Sequence, residues 1–142
     1  MNKTTKFFLL ITLSAMLVLL AGCGGVAKTV SDEVKASVLA FGEPKTDTLL
    51  AGLKEGDYAK FSADFDDDML AALTEAKFAD LKTDRDIALG NYVSREVVNV
   101  TQDGDFYTVF YLAQFEKQSD VIMRVVFRVE EPHQISGLWF SK

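Results

Sequence analysis

A carboxylate, two phenols and two guanidinium groups fall on strand-like segments in the second half of this chain: Glu96, Tyr107, Tyr111, Arg124 and Arg128. Guanidinium groups pair anions and stack on aromatic rings. A sheet face carrying all five would hold an acidic or amphipathic ligand. On a solvated face the same charges would pair with one another. Set in a pocket, Glu96 with Tyr111 or Arg124 would instead suit acid–base work, as in a small hydrolase or isomerase. Asp64, Asp66, Asp68 and Glu75 have the acidic spacing of a calcium-binding loop, but the turn glycine that loop needs is replaced by Met69. Acidic residues at a helix start are favoured by the macrodipole without any metal, so no metal is expected. His133, the single histidine, follows Pro132 in a turn with no orienting partner specified. There is no nucleophile elbow and no glycine-rich phosphate loop, and no cofactor is expected.

Hairpin register decides whether the five residues meet. Tyr92 to Gln102 alternates Val with polar residues, and Asp103-Gly104 has the chemistry of a type I′ turn. Asp105 to Lys117, Val121 to Glu130 and Gln134 to Phe140 read as three further strands, with Gln118-Ser119 and Pro132 in the turns between them. With two-residue turns, Glu96 falls opposite Tyr111, and Tyr111 opposite Val126. Arg124 and Arg128 then share a face with Tyr107, Val109, Ala113 and Phe115, and the opposite face carries Val97, Phe110, Leu112, Met123, Val125 and Phe127. The second, apolar set is expected to meet the helices. A slip of one residue would swap the faces. Trp139 and Phe140, ending the last strand, are expected to seal the core rather than anchor a partner.

The helices come first. Val30, Val34, Val38 and Phe41 recur at helical spacing, and Gly42-Glu43-Pro44 is expected to break that helix. Leu49, Leu50, Leu53, Tyr58 and Phe61 form a helical face interrupted at Gly56-Asp57. Further helical stretches begin at Asp66-Asp67-Asp68 and at Thr74, an N-cap residue, with Gly90 as terminator. Helices followed by an antiparallel meander predict an α+β domain, its helices packed on one face of a curved four-stranded sheet.

The first 22 residues have a different job. Lys3 and Lys6 precede an apolar run from Phe7 to Ala21, and the single cysteine follows in Leu20-Ala21-Gly22-Cys23. This is the pattern of a secretory signal. Its last four residues resemble the lipobox of bacterial and archaeal lipoproteins, which implies cleavage before Cys23 and a diacylglyceryl thioether on its sulfur. Residues 1–22 are then the signal peptide, 23–44 the lipidated cysteine and tether with a short helix, and 45–142 the domain. The expected partner is the extracytoplasmic face of the cell membrane. Without the signal the chain keeps 13 basic and 21 acidic residues, a net charge of −8. That balance, with no basic stripe, excludes nucleic acid as a partner. With its only thiol alkylated, the domain relies on its apolar core alone.

Three groups of residues carry a resemblance. Gly56-Asp57-Tyr58 stands with Phe61, Phe65, Met69, Leu73-Thr74 and Phe78, and Leu89-Gly90-Asn91-Tyr92 enters the sheet. Phe115-Glu116, Arg124-Val125-Val126-Phe127 and Ile135-Ser136-Gly137-Leu138-Trp139-Phe140 follow. In this order they resemble a family of uncharacterised extracytoplasmic domains with a cone-shaped fold, similar to nuclear transport factor two and cystatin-like proteins. The resemblance implies that fold, in prokaryotic lipoproteins or ahead of α/β-hydrolase domains, and brings no catalytic residue. The expectation is a lipid-anchored, non-catalytic domain binding a small ligand or a protein. A small cone-fold enzyme is the alternative, and homodimerisation through the open sheet is compatible with both.

Overall fold

In a computed structural model the described residues are 26–142, so the signal segment and Cys23 lie outside them. Helix α1 spans Asp32–Glu55, capped by Ser31, whose side chain accepts from the Val34 amide, and closed by Gly56 in the left-handed conformation. The expected break at Gly42-Glu43-Pro44 does not occur, and Pro44 lies inside the helix. An interior proline costs about 3 kcal/mol. Burial on both sides offsets it: Val38 upstream and Leu49, Leu50 and Leu53 downstream all sit in the core. Phe41 packs edge-on against Phe127, with ring centroids 5.7 Å apart. Three shorter helices follow as expected, α2 (Tyr58–Phe61), α3 (Asp67–Ala72) and α4 (Glu75–Ala88). Thr74 takes the N-cap position of α4 but makes no side-chain capping bond.

The described residues form the expected α+β class with five strands rather than four: β1 (Lys28–Thr29), β2 (Tyr92–Asp103), β3 (Phe106–Phe115), β4 (Val121–Arg128) and β5 (Ile135–Ser141). They form one open antiparallel sheet in sequence order. The additional strand is part of the expected tether, where Lys28 pairs with Gln102 and Thr29 with Thr101. Two residues are too few for any periodicity to register.

The expected register fails at both central hairpins. Asp103 pairs with Phe106, so the turn is Gly104-Asp105, with Gly104 at φ 53°. Glycine in the first central position is the type II′ preference. A bulge between Val97 and Asn99 then places Glu96 opposite Leu112 and Val97 opposite Tyr111. The β3–β4 connection is longer than Gln118-Ser119: the Phe115 amide donates to the Gln118 carbonyl, and Asp120 takes φ 60°. Tyr111 consequently pairs with Met123 and Phe110 with Arg124. Relative to the expected pairing, β4 moves by three residues. An odd displacement exchanges faces.

The helix-covered face therefore carries Val109, Tyr111, Ala113 and Phe115 beside Val121, Met123, Val125 and Phe127, all buried. Phe110 and Leu112, expected against the helices, lie on the open face with Ile122, Arg124, Val126 and Arg128. Among the described residues the five strands and the core cluster lie between Lys28 and Ser141, so residues 26–142 hold a core of their own. A self-contained core is what an independently folding unit requires. Among the described residues no helix is long and apolar enough to cross a membrane.

Candidate functional site

The register divides the five sequence-derived residues between two faces. Tyr107 and Tyr111 turn towards the helices; Glu96, Arg124 and Arg128 stay on the open face. Glu96 and Tyr111 therefore cannot share a pocket, which removes the geometry for acid–base work by that pair. Among the described residues neither Glu96 nor Arg124 makes an ion pair. Arg124 instead stacks over Trp139 at 5.5 Å. Trp139 is exposed rather than sealing the core, with its ring lying across Gly137.

Tyr111 and Thr46, both buried, belong to a polar cluster that joins α1 to the sheet and reaches the surface at Glu43 and Asp47. The Tyr111 hydroxyl donates to Glu43 Oε1 at 2.7 Å and lies 3.3 Å from Thr46 Oγ1. Arg95 donates to Glu43 Oε2 at 2.8 Å and pairs with Asp47 at 2.7 Å, with its guanidinium 5.1 Å from the centre of the Tyr111 ring. Burial, then the bond to Glu43, pushes the Tyr111 pKa upward. Glu43 is engaged by both partners, so the cluster holds α1 beside Pro44 and offers no free base. Tyr111→Phe is expected to cost about 1 kcal/mol, the usual net worth of a buried hydrogen bond, in urea unfolding. It should also remove from an absorbance pH titration a phenol that ionises above its ordinary range. A titration unchanged by the substitution would contradict this assignment.

The acidic run is likewise structural. Asp66 caps α3 through the Met69 amide at 2.8 Å and accepts from Arg128 Nε at 2.7 Å and from Ser136. Asp64 pairs with Lys45 and Asp68 with Arg128, and the described residues contain no cluster fit for a metal. His133 stacks on Phe41, with centroids 3.9 Å apart, and its Nδ1 lies 3.1 Å from the Arg128 carbonyl oxygen.

A cleft of about 550 Å³ opens between the C-terminal half of α4 and the β4–β5 edge of the sheet. Leu81, Ala88 and Leu89 form one wall; Val121, Leu138 and Phe140 form the other. The size is within the ~300–1,000 Å³ usual for ligand pockets. Arg85 lines the cleft with its side chain only 2% exposed. It donates to the Gly90 carbonyl at 3.2 Å and pairs with Asp86, while its Nε meets no acceptor among the described residues. Burial pulls the Arg85 pKa below its ordinary value, with Asp86 opposing. Lys82 also holds Asp86, and Lys117 donates to the Asp86 and Ile87 carbonyls, closing the end of α4. None of the five expected residues lines this cleft. A signal for it does exist in the sequence: Phe78, Leu81, Arg85 and Leu89 form one helical stripe, with an arginine in an otherwise apolar row.

These features define an α+β domain with an open antiparallel sheet and an apolar cleft at its edge. Residues 47–138 match the family described as Protein of unknown function (DUF3887), and the chain belongs to that family. No curated protein matches it.

Proposed function

We propose that this protein is a lipid-anchored, non-catalytic binding domain on the extracytoplasmic face of a prokaryotic cell membrane, taking a small apolar ligand in the cleft between α4 and β5. The cleft carries the binding half of this reading, because it combines a concave apolar surface with one buried charge. Support for the anchor comes from sequence: Lys3 and Lys6, the apolar run, and Leu20-Ala21-Gly22-Cys23. Two acyl chains on one residue hold stably, since each buried methylene contributes about 0.8 kcal/mol. The wild-type protein is expected to incorporate labelled palmitate in its host and to pellet with membranes. Cys23→Ser should abolish the label, and label retained by that variant would sink the anchor. For the cleft, Ala88→Trp fills an exposed position of the wall. It should abolish melting shifts caused by apolar ligands while leaving the unliganded fold intact.

The open face supports a second reading, in which a second copy covers the sheet. Phe110, Leu112, Ile122 and Val126 lie there, and Glu96 and Arg124, without an ion pair among the described residues, make it self-complementary in charge, as a two-fold contact requires. Light scattering at about 100 μM tests it: a monomer would exclude it, since even a weak ~10 μM dimer would be mostly assembled.

A further inference from the structure

The geometry points to a single-chain amphiphile with an anionic head, of the fatty-acid class, as the ligand of the α4–β5 cleft, its carboxylate meeting the Arg85 guanidinium. This inference rests on the cleft being a binding site, as proposed above. Three arginines, Arg85, Arg95 and Arg124, have a buried Nε without an acceptor among the described residues, and only Arg85 lines this cleft. A buried donor left unpaired costs free energy that a partner would recover. The partner must be an acceptor, because guanidinium nitrogens only donate. An anion is preferred over a neutral oxygen because the resulting bond is charge-assisted.

The remaining surface explains the tail. Leu81, Leu89, Val121, Leu138 and Phe140 offer an apolar lining on both sides of the cleft, suited to a hydrocarbon chain. Lys142 also borders the cleft, and its ammonium group is bonded to the neutral Gln118 side chain at 2.5 Å. Its positive charge is therefore not cancelled by that contact. Arg85 is already paired with Asp86 and Asp84 opposes Lys142, so the preference for an anionic head rests on the unpartnered Arg85 Nε rather than on a net charge of the lining.

The test is calorimetric titration of residues 26–142, without detergent, with decanoate, decan-1-ol and decylammonium. Decanoate is expected to bind at least tenfold more tightly than the alcohol, with decylammonium weakest, since a hydrogen bond to a charged group is stronger than one to a neutral oxygen. Ala88→Trp should abolish decanoate binding, and Arg85→Met should erase the preference for acid over alcohol. Because Arg85 is buried, that variant is compared by circular dichroism first; if it unfolds, the three ligands and Ala88→Trp decide. Equal binding of acid and alcohol, or a preference for the amine, overturns the anionic head and leaves the cleft as an apolar site. Decanoate binding that survives Ala88→Trp places the ligand elsewhere and overturns the inference. No binding by any of the three overturns both this inference and the cleft reading beneath it.

Discussion

Gly52→Ala is expected to destabilise the protein by about 3 kcal/mol or more, at the upper end of overpacking penalties. Helix propensity alone predicts the opposite sign, because alanine in a helix interior is favoured over glycine by about 1 kcal/mol. The contact with α2 decides. A Cβ at position 52 would lie 2.3 Å from the Phe61 amide nitrogen and 2.6 Å from its Cα. Backbone atoms have no rotamer by which to escape, so α2 would have to move away from α1. Phe61 is 1% exposed and packs its ring 5.1 Å from Phe65 and 4.6 Å from Phe78, so that movement would open the core. Urea unfolding of residues 26–142 measures the change. A stabilised Gly52→Ala protein would show that α1 and α2 do not approach this closely.

Asp66→Ala is expected to cost a similar amount, about 3 kcal/mol at pH 7. Loss of the cap contributes about 1 kcal/mol, and the rest comes from abandoning Arg128 and Ser136. That remainder falls below the roughly 3–5 kcal/mol of a fully buried pair, because a third of the Arg128 side chain is exposed. The pH dependence supplies a second readout. Burial raises the Asp66 pKa, but hydrogen bonds from Ser136, the Met69 amide and Arg128 together outweigh it and hold the carboxyl below 3.8. The folded protein thus takes up this proton less readily than the unfolded chain. The stabilisation is complete well above pH 4 and is lost as pH falls through the folded-state value. The wild-type advantage over Asp66→Ala should be constant from pH 7 to 5 and shrink below pH 4. An advantage that grows on acidification would contradict a carboxylate held in its charged form.

Asp66 also marks how far sequence reading reaches. An acidic residue before Met69 and Leu70 announces a helix start by local chemistry alone, and α3 begins there. The salt bridge that makes the same residue a joint between α3 and the sheet involves Arg128, sixty-two positions away, and no local pattern encodes it. Arg85 is the converse case. Its place in the apolar stripe of α4 was legible as an anomaly, but its meaning depends on what faces the stripe. Pro44 is a related case: its local penalty is real, and tertiary burial on both sides overrides it.

The amino-acid sequence by itself determined the α+β class, the order of helices before the four long strands, the interruption at Gly56, the starts of α3 and α4, and the number of long strands. All of these follow from interactions within a few residues: caps, turn chemistry, and the periods of 3.6 and 2. Tertiary structure alone decided which sheet face meets the helices. That choice depends on parity, and one bulged residue at Val98 with three positions of displacement in β4 was enough to separate Tyr111 from Glu96, Arg124 and Arg128. It decided the cleft as well, because Leu81 and Leu138 lie fifty-seven positions apart and form opposing walls only once α4 has settled beside the edge of the sheet.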